Sequence, residues 1–298
     1  MASQSIQITE TLVRGLIAAQ FPQWAELPVR LTPQSGWDNR CFLLGETMVA
    51  RLPSAQGYEA QIHREQRWLP YLRTHIPVEI PEPLALGQPG RGYPWSWSIY
   101  RWIEGDTAAT SPPSDVGKFA EDLALVLNAI HEAPAESGPA PGPENFHRGG
   151  ELKVYDAQAR QAIAALSGRI GAGALAAWEA GLASRWSQAP VWVHGDIALG
   201  NILVRSGRLA ALIDFGQVCI GDPACDLAIA WTYLRAQHRQ TFRNRLKIDT
   251  ATWQRGRAWA LWKAAIVAAG IVDTNAPEGK VSRLTIDEIL SDYARTEA

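Results

Sequence analysis

The spacing of apolar residues changes character roughly a third of the way along the chain. Up to residue 104 the apolar residues alternate in short runs that Gly and Pro interrupt, which is typical of β-strands. From residue 105 they recur every three or four positions in longer segments, which is typical of amphipathic helices. We therefore expect an α+β fold with two lobes, a small β-rich lobe over residues 1–104 and a larger, mostly helical lobe over residues 105–298.

The first lobe is predicted to contain two helices, a β-hairpin and two further strands, at residues 29–32 and 97–103. One helix covers residues 9–20, and the other covers residues 58–72. Between them, residues 41–44 and 48–52 alternate in polarity around a short connection that contains Gly45, and this pattern favours a hairpin.

The second lobe is predicted to be helical apart from two short strands. A strongly periodic helix covers residues 116–131, and a loop rich in Pro and Gly covers residues 133–150. Apolar runs at 191–194 and 209–214 are short and β-like, and helices resume at Pro223. The most polar part of the lobe therefore lies between and just after two predicted strands.

The charge balance argues against partners that need a strongly basic surface. The chain has 28 Lys and Arg residues against 30 Asp and Glu residues, for a formal net charge of -2. Binding to nucleic acid or to an anionic membrane depends on a clear basic excess, so we expect neither partner.

Cysteine content and hydropathy predict a reduced, cytoplasmic protein. Three cysteines are too few, and odd in number, for a disulfide framework. The N-terminal residues lack the basic and apolar regions of a secretory signal. The longest apolar stretch, residues 258–272, is interrupted by Lys263 and is shorter than the about 20 residues that a membrane span needs.

Residues 191–216 contain the clearest chemical signal. Asp196 follows one predicted strand, Asn201 comes five positions later, and Asp214 ends the next predicted strand. Carboxylates at strand ends project into a cleft, and oxygen ligands of this kind suit Mg²⁺. The amide oxygen of Asn201 could bind a metal without adding negative charge beside a phosphate.

Two motifs in this segment resemble those of a known family. The run HGDIALGN, residues 194–201, resembles the catalytic loop of protein-kinase-like phosphotransferases, and IDFG, residues 213–216, resembles their metal-binding loop. Gly195, where protein kinases usually have Arg, and the run GDPACDLA at 221–228 resemble the aminoglycoside phosphotransferase family. The resemblance implies a protein-kinase-like bilobal fold, which agrees with the order and size of the predicted lobes.

The resemblance also implies roles for the polar residues. Asp196 would be the catalytic residue, accepting a hydrogen bond or a proton from the acceptor hydroxyl. Asn201 and Asp214 would hold the Mg²⁺ ions that bridge the phosphates of ATP or GTP. The expected partners are thus a nucleoside triphosphate and a small molecule with a hydroxyl group.

The nucleotide should then bind to the first lobe. Ser35, Asp38 and Asn39 lie where the family has a phosphate-covering loop, although these residue types are equally common in turns. Arg51 stands where protein kinases have a phosphate-pairing Lys; it keeps the charge but differs in geometry. Glu65 would be the ion-pair partner of Arg51.

Two further expectations concern this lobe. Glu59 competes with Glu65 as the partner of Arg51, and either acid could instead be a solvated helix charge. At the predicted lobe boundary, the carbonyl of Arg101 and the N–H of Ile103 would bind the purine through the backbone. Backbone groups of this kind do not distinguish ATP from GTP.

Three polar residues are expected to support the catalytic loop. His194 is predicted to pack behind the loop and fix its shape. Asp222, which precedes Pro223, has the chemistry of a helix N-cap. Asp226 either complements the dipole of that helix or, as the family implies, braces the catalytic loop.

The identity of the acceptor is less well determined. A pocket for a polycationic aminoglycoside should be acidic, and residues 273–298 have an acidic excess, whereas residues 235–263 have a basic one. Solvated helix surfaces would explain both runs equally simply. Four tryptophans among these helices indicate either core or a pocket for a bulkier antibiotic such as a macrolide; they are Trp231, Trp253, Trp259 and Trp262.

Three functions therefore remain open. The first is an antibiotic kinase acting on an aminoglycoside or macrolide, and the second is a metabolic kinase of the choline, homoserine or ketosamine type. The third is a non-catalytic, nucleotide-binding pseudokinase. Asp196, Asn201 and Asp214 are all present, which favours an enzyme, while Arg51 is the one departure from the usual set.

Overall fold

The first lobe is built on an antiparallel sheet of five strands. The computed structural model describes residues 6–32, 38–135, 137–272 and 276–297. The strands are β1 (Val29–Leu31), β2 (Asn39–Leu44), β3 (Met48–Pro53), β4 (Pro83–Gly87) and β5 (Trp97–Arg101). They lie in the order β1-β2-β3-β5-β4, with helices α1 (Glu10–Gln20) and α2 (Glu59–Leu72).

Local sequence explains most of these elements. Thr9 caps α1 by accepting a hydrogen bond from the backbone N–H of Leu12. Strands β2 and β3 form the predicted hairpin, in which Leu44 pairs with Met48 and Gly45 takes a positive φ of 63° in the turn. Alternate residues of both strands are buried against α1, as period-two alternation requires.

Strand β4 is absent from the sequence-based expectations. It is five residues long, begins at Pro83 and ends at Gly87, so its pattern is weak. The sheet order puts it at an edge, where a proline can begin a strand without breaking the hydrogen-bond ladder.

The second lobe is mostly helical, as predicted, but its described residues form five short strands where two were expected. Its helices are α3 (Val116–Glu132), α4 (Asp156–Ala165), α5 (Ser167–Ala183), α6 (Ile229–Thr232), α7 (Ala236–Arg245), α8 (Thr250–Ala268) and α9 (Ala276–Glu297). Two small sheets, β6-β8-β9 and β7-β10, are built from β6 (Asp106–Thr107), β7 (Val191–Val193), β8 (Ile202–Arg205), β9 (Arg208–Leu212) and β10 (Cys219–Gly221).

Apolar side chains form one large cluster in the second lobe and a smaller one beneath the sheet. The larger cluster also takes in Leu69 and Leu72 from α2 and Tyr100 from β5. These contacts fasten the C-terminal end of α2 to the second lobe. The division of the chain after residue 104 stays a prediction.

Helix α8 is the central helix of the second lobe. The apolar stretch over residues 258–272 falls largely within it, and most of its residues are buried. Within residues 258–268, where the stretch and the helix overlap, Lys263 is the exposed residue, with 46% of its side chain exposed. Among the described residues, no helix combines the length and apolarity needed to cross a bilayer.

The oppositely charged runs of the second lobe neutralise each other. Arg239 on α7 is 2% exposed and pairs with Glu288 and Asp292 on α9. Arg257 on α8 lies 3.7 Å from Asp292 as well. At these residues the expectation of solvated surfaces is wrong, and the acids are engaged in holding helices together.

Candidate active site

Asp196 lies in the loop between β7 and β8, and hydrogen bonds from two different segments hold its two carboxylate oxygens. The side-chain amide of Asn201 donates hydrogen bonds to Asp196 Oδ2 at 3.0 Å and to the Asp196 carbonyl at 2.9 Å. The ammonium group of Lys263, on α8, donates to Asp196 Oδ1 at 2.9 Å. The carboxylate therefore has a fixed orientation.

The cations around Asp196 keep it ionised. Burial works to raise the pKa of the Asp196 carboxyl, but the charges of Lys263 and Arg148 outweigh burial and lower that pKa to about 2. Asp196 is therefore a carboxylate at neutral pH, able to accept a hydrogen bond from an incoming hydroxyl.

Asp226 braces the catalytic loop. Its carboxylate is fully buried and accepts hydrogen bonds from the backbone N–H groups of His194, at 3.0 Å, and Gly195, at 2.8 Å. Of the two roles considered from the sequence, the brace is the one that these contacts show. Asp222 does cap the helical turn that follows, and it also forms a 2.6 Å ion pair with Arg255.

Gly195 is required by the conformation of this loop. Its φ is 88°, a region that favours glycine, and a Cβ atom there would lie 2.9 Å from the carbonyl oxygen of Gln217. The same Cβ would lie 3.2 Å from the Cβ of Arg148. Close packing against these two residues explains why a larger residue does not follow His194.

We expect Asp226→Asn to lower kcat while leaving the nucleotide KM nearly unchanged. The amide offers one acceptor oxygen, so one loop N–H group loses its partner, at a cost of about 1–3 kcal/mol in the free energy of unfolding. Urea unfolding and steady-state kinetics measure the two effects. Asp249→Asn, at the N-cap of α8, is the matched control because Asn caps helices well; equal kcat values for the two variants would contradict the bracing role.

His194 joins the catalytic loop to the segment that contains Asp214. Its ring accepts a hydrogen bond from the backbone N–H of Asp196 at 3.2 Å and donates to the carbonyl of Ile213 at 3.2 Å. The backbone N–H of Ile213 in turn donates to the carbonyl of Asn201 at 2.9 Å. These bonds set Asn201 and Asp214 side by side, and His194 packs behind the loop as expected.

The arrangement of Asn201 and Asp214 suits a hard divalent cation. Because the amide nitrogen of Asn201 is engaged by Asp196, its carbonyl oxygen is left for a ligand. Asp214 is 33% exposed and uses Oδ1 for Arg51. No group of three or more acidic, His or Cys ligands occurs within the described residues. Two protein oxygens are what Mg²⁺ needs when phosphates and water complete its shell.

Arg51 on β3 bridges the two lobes. Its guanidinium lies 3.0 Å from Glu65 on α2 and 2.9 Å from Asp214. Tyr100 donates a hydrogen bond to Glu65 at 2.5 Å, which holds the buried acid in place. The ion pair with Glu65 is thus present. Glu59 instead accepts a hydrogen bond from the backbone N–H of Ser96.

We expect Arg51→Lys to raise the nucleotide KM by about tenfold with little change in the acceptor KM. Lysine keeps the charge, so Glu65 is not left as an uncompensated buried charge, but a single ammonium group cannot reproduce the bridge to Glu65 and Asp214. Initial rates with nucleotide and acceptor varied separately measure both constants. A rise confined to the acceptor KM would contradict the predicted role of Arg51.

Of the three residues predicted for the phosphate-covering loop, the structure describes Asp38 and Asn39. Ser35 lies outside the described residues. Asp38 accepts a hydrogen bond from Gln61 at 2.9 Å; burial raises the pKa of Asp38, and the nearby charges of Asp214 and Asp196 add to the rise. Asn39 is 3% exposed, and its side-chain oxygen has no hydrogen-bond partner. Asp38 thus lies near the site, whereas Asn39 is a buried residue of β2 that pairs in register with Pro53 of β3.

The expected purine-binding segment follows β5. The side chain of Arg101 is exposed and pairs with Glu82, and the side chain of Ile103 is buried. No part of the chain that the structure describes accepts a hydrogen bond from the backbone N–H of Ile103. This amide is available for a ligand, and its role stays a prediction.

Two residues near Asp196 are absent from the sequence-based site. Lys263 was visible as the one charge inside an apolar stretch, which is the signal that could have identified it. Arg148 lies in the Pro- and Gly-rich loop, where nothing in the local sequence distinguishes it. Its proximity to Asp196 depends on tertiary packing.

Comparison with known proteins establishes the family. The model of the phosphotransferase enzyme family matches residues 31–259. This range is most of the chain, so the chain belongs to that family, and the predicted family is confirmed. The family's description as phosphotransferases agrees with the predicted enzyme class, and the alcohol group as acceptor belongs to the proposal below.

Two sequence relatives illustrate the similarity. The chain is 26% identical over 211 residues to the uncharacterized protein YcbJ of Bacillus subtilis strain 168, covering 64% of this chain and 60% of that protein. It is 42% identical over 45 residues to an aminoglycoside 3'-phosphotransferase of Escherichia coli, covering 15% of this chain and 17% of the relative.

The structural matches extend over nearly the whole chain. A GDP complex of an aminoglycoside 2'-phosphotransferase-IIIa mutant matches with a TM-score of 0.73 at 17% identity, covering 97% of this chain and 100% of that one. The streptomycin-ATP-APH(2")-IIa ternary complex matches with a TM-score of 0.61 at 17% identity, covering 96% and 97%. At these identities the likeness shows the fold, and it confirms the predicted protein-kinase-like α+β fold.

Proposed function

We propose that this protein is a small-molecule kinase that transfers the γ-phosphate of ATP or GTP to a hydroxyl group. The observation that carries the proposal is the meeting of Asp196, Asn201 and Asp214 on adjoining segments, with Arg51 of the first lobe bonded to Asp214. This set provides a carboxylate for a hydroxyl, oxygen ligands for a metal and a cation for phosphate.

Asp196 orients the acceptor. Its carboxylate accepts a hydrogen bond from the hydroxyl and directs the oxygen at the γ-phosphorus. The new P–O bond forms as the bond to the β–γ bridging oxygen breaks, so the nucleoside diphosphate leaves and the hydroxyl proton passes to Asp196 or to water. A carboxylate whose pKa is about 2 is a weak base, so orientation is its larger contribution.

Asn201 and Asp214 would hold Mg²⁺, which when bound supplies positive charge to the phosphates. Arg51, which Glu65 holds in position, contributes a guanidinium beside Asp214. Ser35, Asp38 and Asn39 would form or support the loop over the phosphates. The backbone groups of Arg101 and Ile103 would bind the purine, and they suit ATP and GTP alike.

Two acceptor classes follow from the sequence, an antibiotic such as an aminoglycoside or macrolide and a metabolic hydroxyl compound. Relatives named as aminoglycoside phosphotransferases support the first. The four tryptophans do not form one wall: all are buried, in separate pairs of Trp231 with Trp253 and Trp259 with Trp262. A pseudokinase is disfavoured because the residues proposed as the base and the metal ligands, Asp196, Asn201 and Asp214, are all present. A cytoplasmic location remains part of the proposal.

A nucleotide-consumption screen tests this function. Purified protein is incubated with Mg²⁺ and ATP or GTP across aminoglycosides, macrolides, choline, amino alcohols, hydroxy acids and sugar phosphates, and diphosphate release is recorded. At least one acceptor should stimulate release in the unmodified protein and not in the Asp196→Asn variant. Stimulation that persists in that variant would contradict the proposed role of Asp196.

A further inference from the structure

Two cations flank Asp196 on the side of α8. Lys263 reaches Asp196 directly, and its side chain is 46% exposed. Arg148 begins beside Gly195, the residue before Asp196, and it lies close enough to the Asp196 carboxylate to interact with it electrostatically. The hydroxyl that Asp196 binds must therefore approach between or beside two positive charges.

Arg148 is held in place without using its terminal nitrogens. Its Nε donates a hydrogen bond to Gln217 at 2.9 Å, and its guanidinium lies 5.4 Å and 5.6 Å from the ring centres of Trp259 and Trp262. Within the described ranges no residue accepts a hydrogen bond from the two terminal nitrogens of Arg148. A planar, positioned guanidinium of this kind suits a carboxylate or a phosphate.

The buried carboxylates of the second lobe are not available to a cationic ligand. Of the described residues beyond residue 105, Asp222 and Asp226 are the buried acids. Asp222 pairs with Arg255, and Asp226 is bonded to the catalytic-loop backbone. On α9, Glu288 and Asp292 pair with arginines on α7 and α8, and Asp287 is exposed at the surface.

We propose that Lys263 and Arg148 bind an anionic group of the acceptor, so that the enzyme phosphorylates a hydroxyl on a small carboxylate or phosphate ester. This inference rests on the proposed function and specifies its substrate class. An acceptor anion gives Lys263 a second negative partner and leaves an oxygen of Asp196 for the hydroxyl. A polycationic acceptor would meet two positive charges with no free buried acid to offset them.

Calorimetric titration tests this subsite apart from catalysis. The protein is first saturated with Mg²⁺ and a non-hydrolysable ATP analogue, so that the donor phosphate sites are occupied. Malonate, which has carboxylates and no hydroxyl, and inorganic phosphate are then titrated separately to distinguish the two anion types. The variants are Lys263→Met and Arg148→Met, with Lys247→Met as a control that removes an exposed lysine paired with Glu132 elsewhere.

At least one anion should bind the unmodified protein and the Lys247→Met control with equal affinity. Each site variant should weaken that binding by about tenfold or more, since each removes a charge-assisted contact. Because nearly half of the Lys263 side chain is exposed, Lys263→Met should fold normally even if Arg148→Met does not. Absence of anion binding, or equal binding by Lys263→Met, overturns the proposal.

The acceptor screen adds a second, separable outcome. Faster phosphorylation of hydroxy acids or sugar phosphates than of kanamycin supports the anionic class. Preference for kanamycin overturns the inference about Lys263 and Arg148 but leaves the proposed kinase function standing. Failure of the ATP analogue to bind in the first titration counts against the kinase function itself.

Discussion

Replacing Asp196 by Asn is expected to lower kcat by a factor of about 10² to 10⁴, the range for losing a group that exchanges a proton with the reacting atom. Asparagine nearly matches the shape of Asp196. It removes the negative charge that accepts a hydrogen bond from the substrate hydroxyl and that pairs with Lys263. The nucleotide should still bind, because the contacts of Arg51 and Asp214 lie on another segment. Diphosphate release and analogue binding measure the two properties.

The matched control for this variant is Asp122→Asn, on α3. Asp122 pairs with Lys118 and Arg208 and makes no contact with the catalytic loop among the described residues. The control should keep the kcat of the unmodified protein. Equal kcat values for Asp196→Asn and Asp122→Asn would remove Asp196 from the reaction.

Replacing Asp214 by Asn should weaken Mg²⁺-dependent nucleotide binding by about tenfold or more, because a neutral amide replaces a charged oxygen ligand of the metal. Asp214 has a positive φ of 66°, and Asn is among the residues that tolerate this conformation, so the backbone should be preserved. The loss should also release Arg51 from one of its two partners. Thermal shift with ATP, measured with and without Mg²⁺, records the effect.

Two comparisons make this second result interpretable. Binding of ATP without Mg²⁺ should change little, since the metal ligand matters only when the metal is present. Asp115→Asn, at the N-cap of α3, should respond to Mg²⁺ and ATP as the unmodified protein does. A full Mg²⁺-dependent shift in Asp214→Asn would show that the metal is held elsewhere.

The catalytic segment could be identified from the sequence because its chemistry requires particular residue types at positions that are only a few residues apart. His194, Asp196 and Asn201 lie in one loop, and their mutual contacts are local. The β2–β3 hairpin could be predicted for the same reason, because alternating polarity and a turn at Gly45 are features of a few consecutive residues. Local patterns also located α1 and α3, with boundaries that differ by one residue.

Long-range pairing could not be predicted from sequence. Lys263 lies 67 positions from Asp196, and no local pattern reports that contact. In the sequence, the basic and acidic runs look like two separate surfaces. In the folded chain, Arg239 of α7 pairs with Glu288 and Asp292 of α9. The choice between Glu59 and Glu65 likewise depended on the rotation of α2 against the sheet, which places Glu65 beside Arg51.

The surroundings of the three cysteines bear on the expectation that the protein is reduced. The structure joins none of the three in a disulfide, and Cys219 and Cys225 are buried. Burial raises the pKa of the Cys219 thiol to about 12, so it stays protonated at neutral pH. The expectation of a reduced protein stays a prediction.

Phosphorus NMR of a complete reaction tests the central claim most directly. With Mg²⁺, the preferred nucleotide and the acceptor selected by the screen, the unmodified protein should form an acceptor phosphomonoester in an amount equal to the nucleoside diphosphate. The Asp196→Asn variant should form almost none over the same period. Inorganic phosphate as the sole product, or equal ester formation by the variant, would contradict transfer to a hydroxyl directed by Asp196.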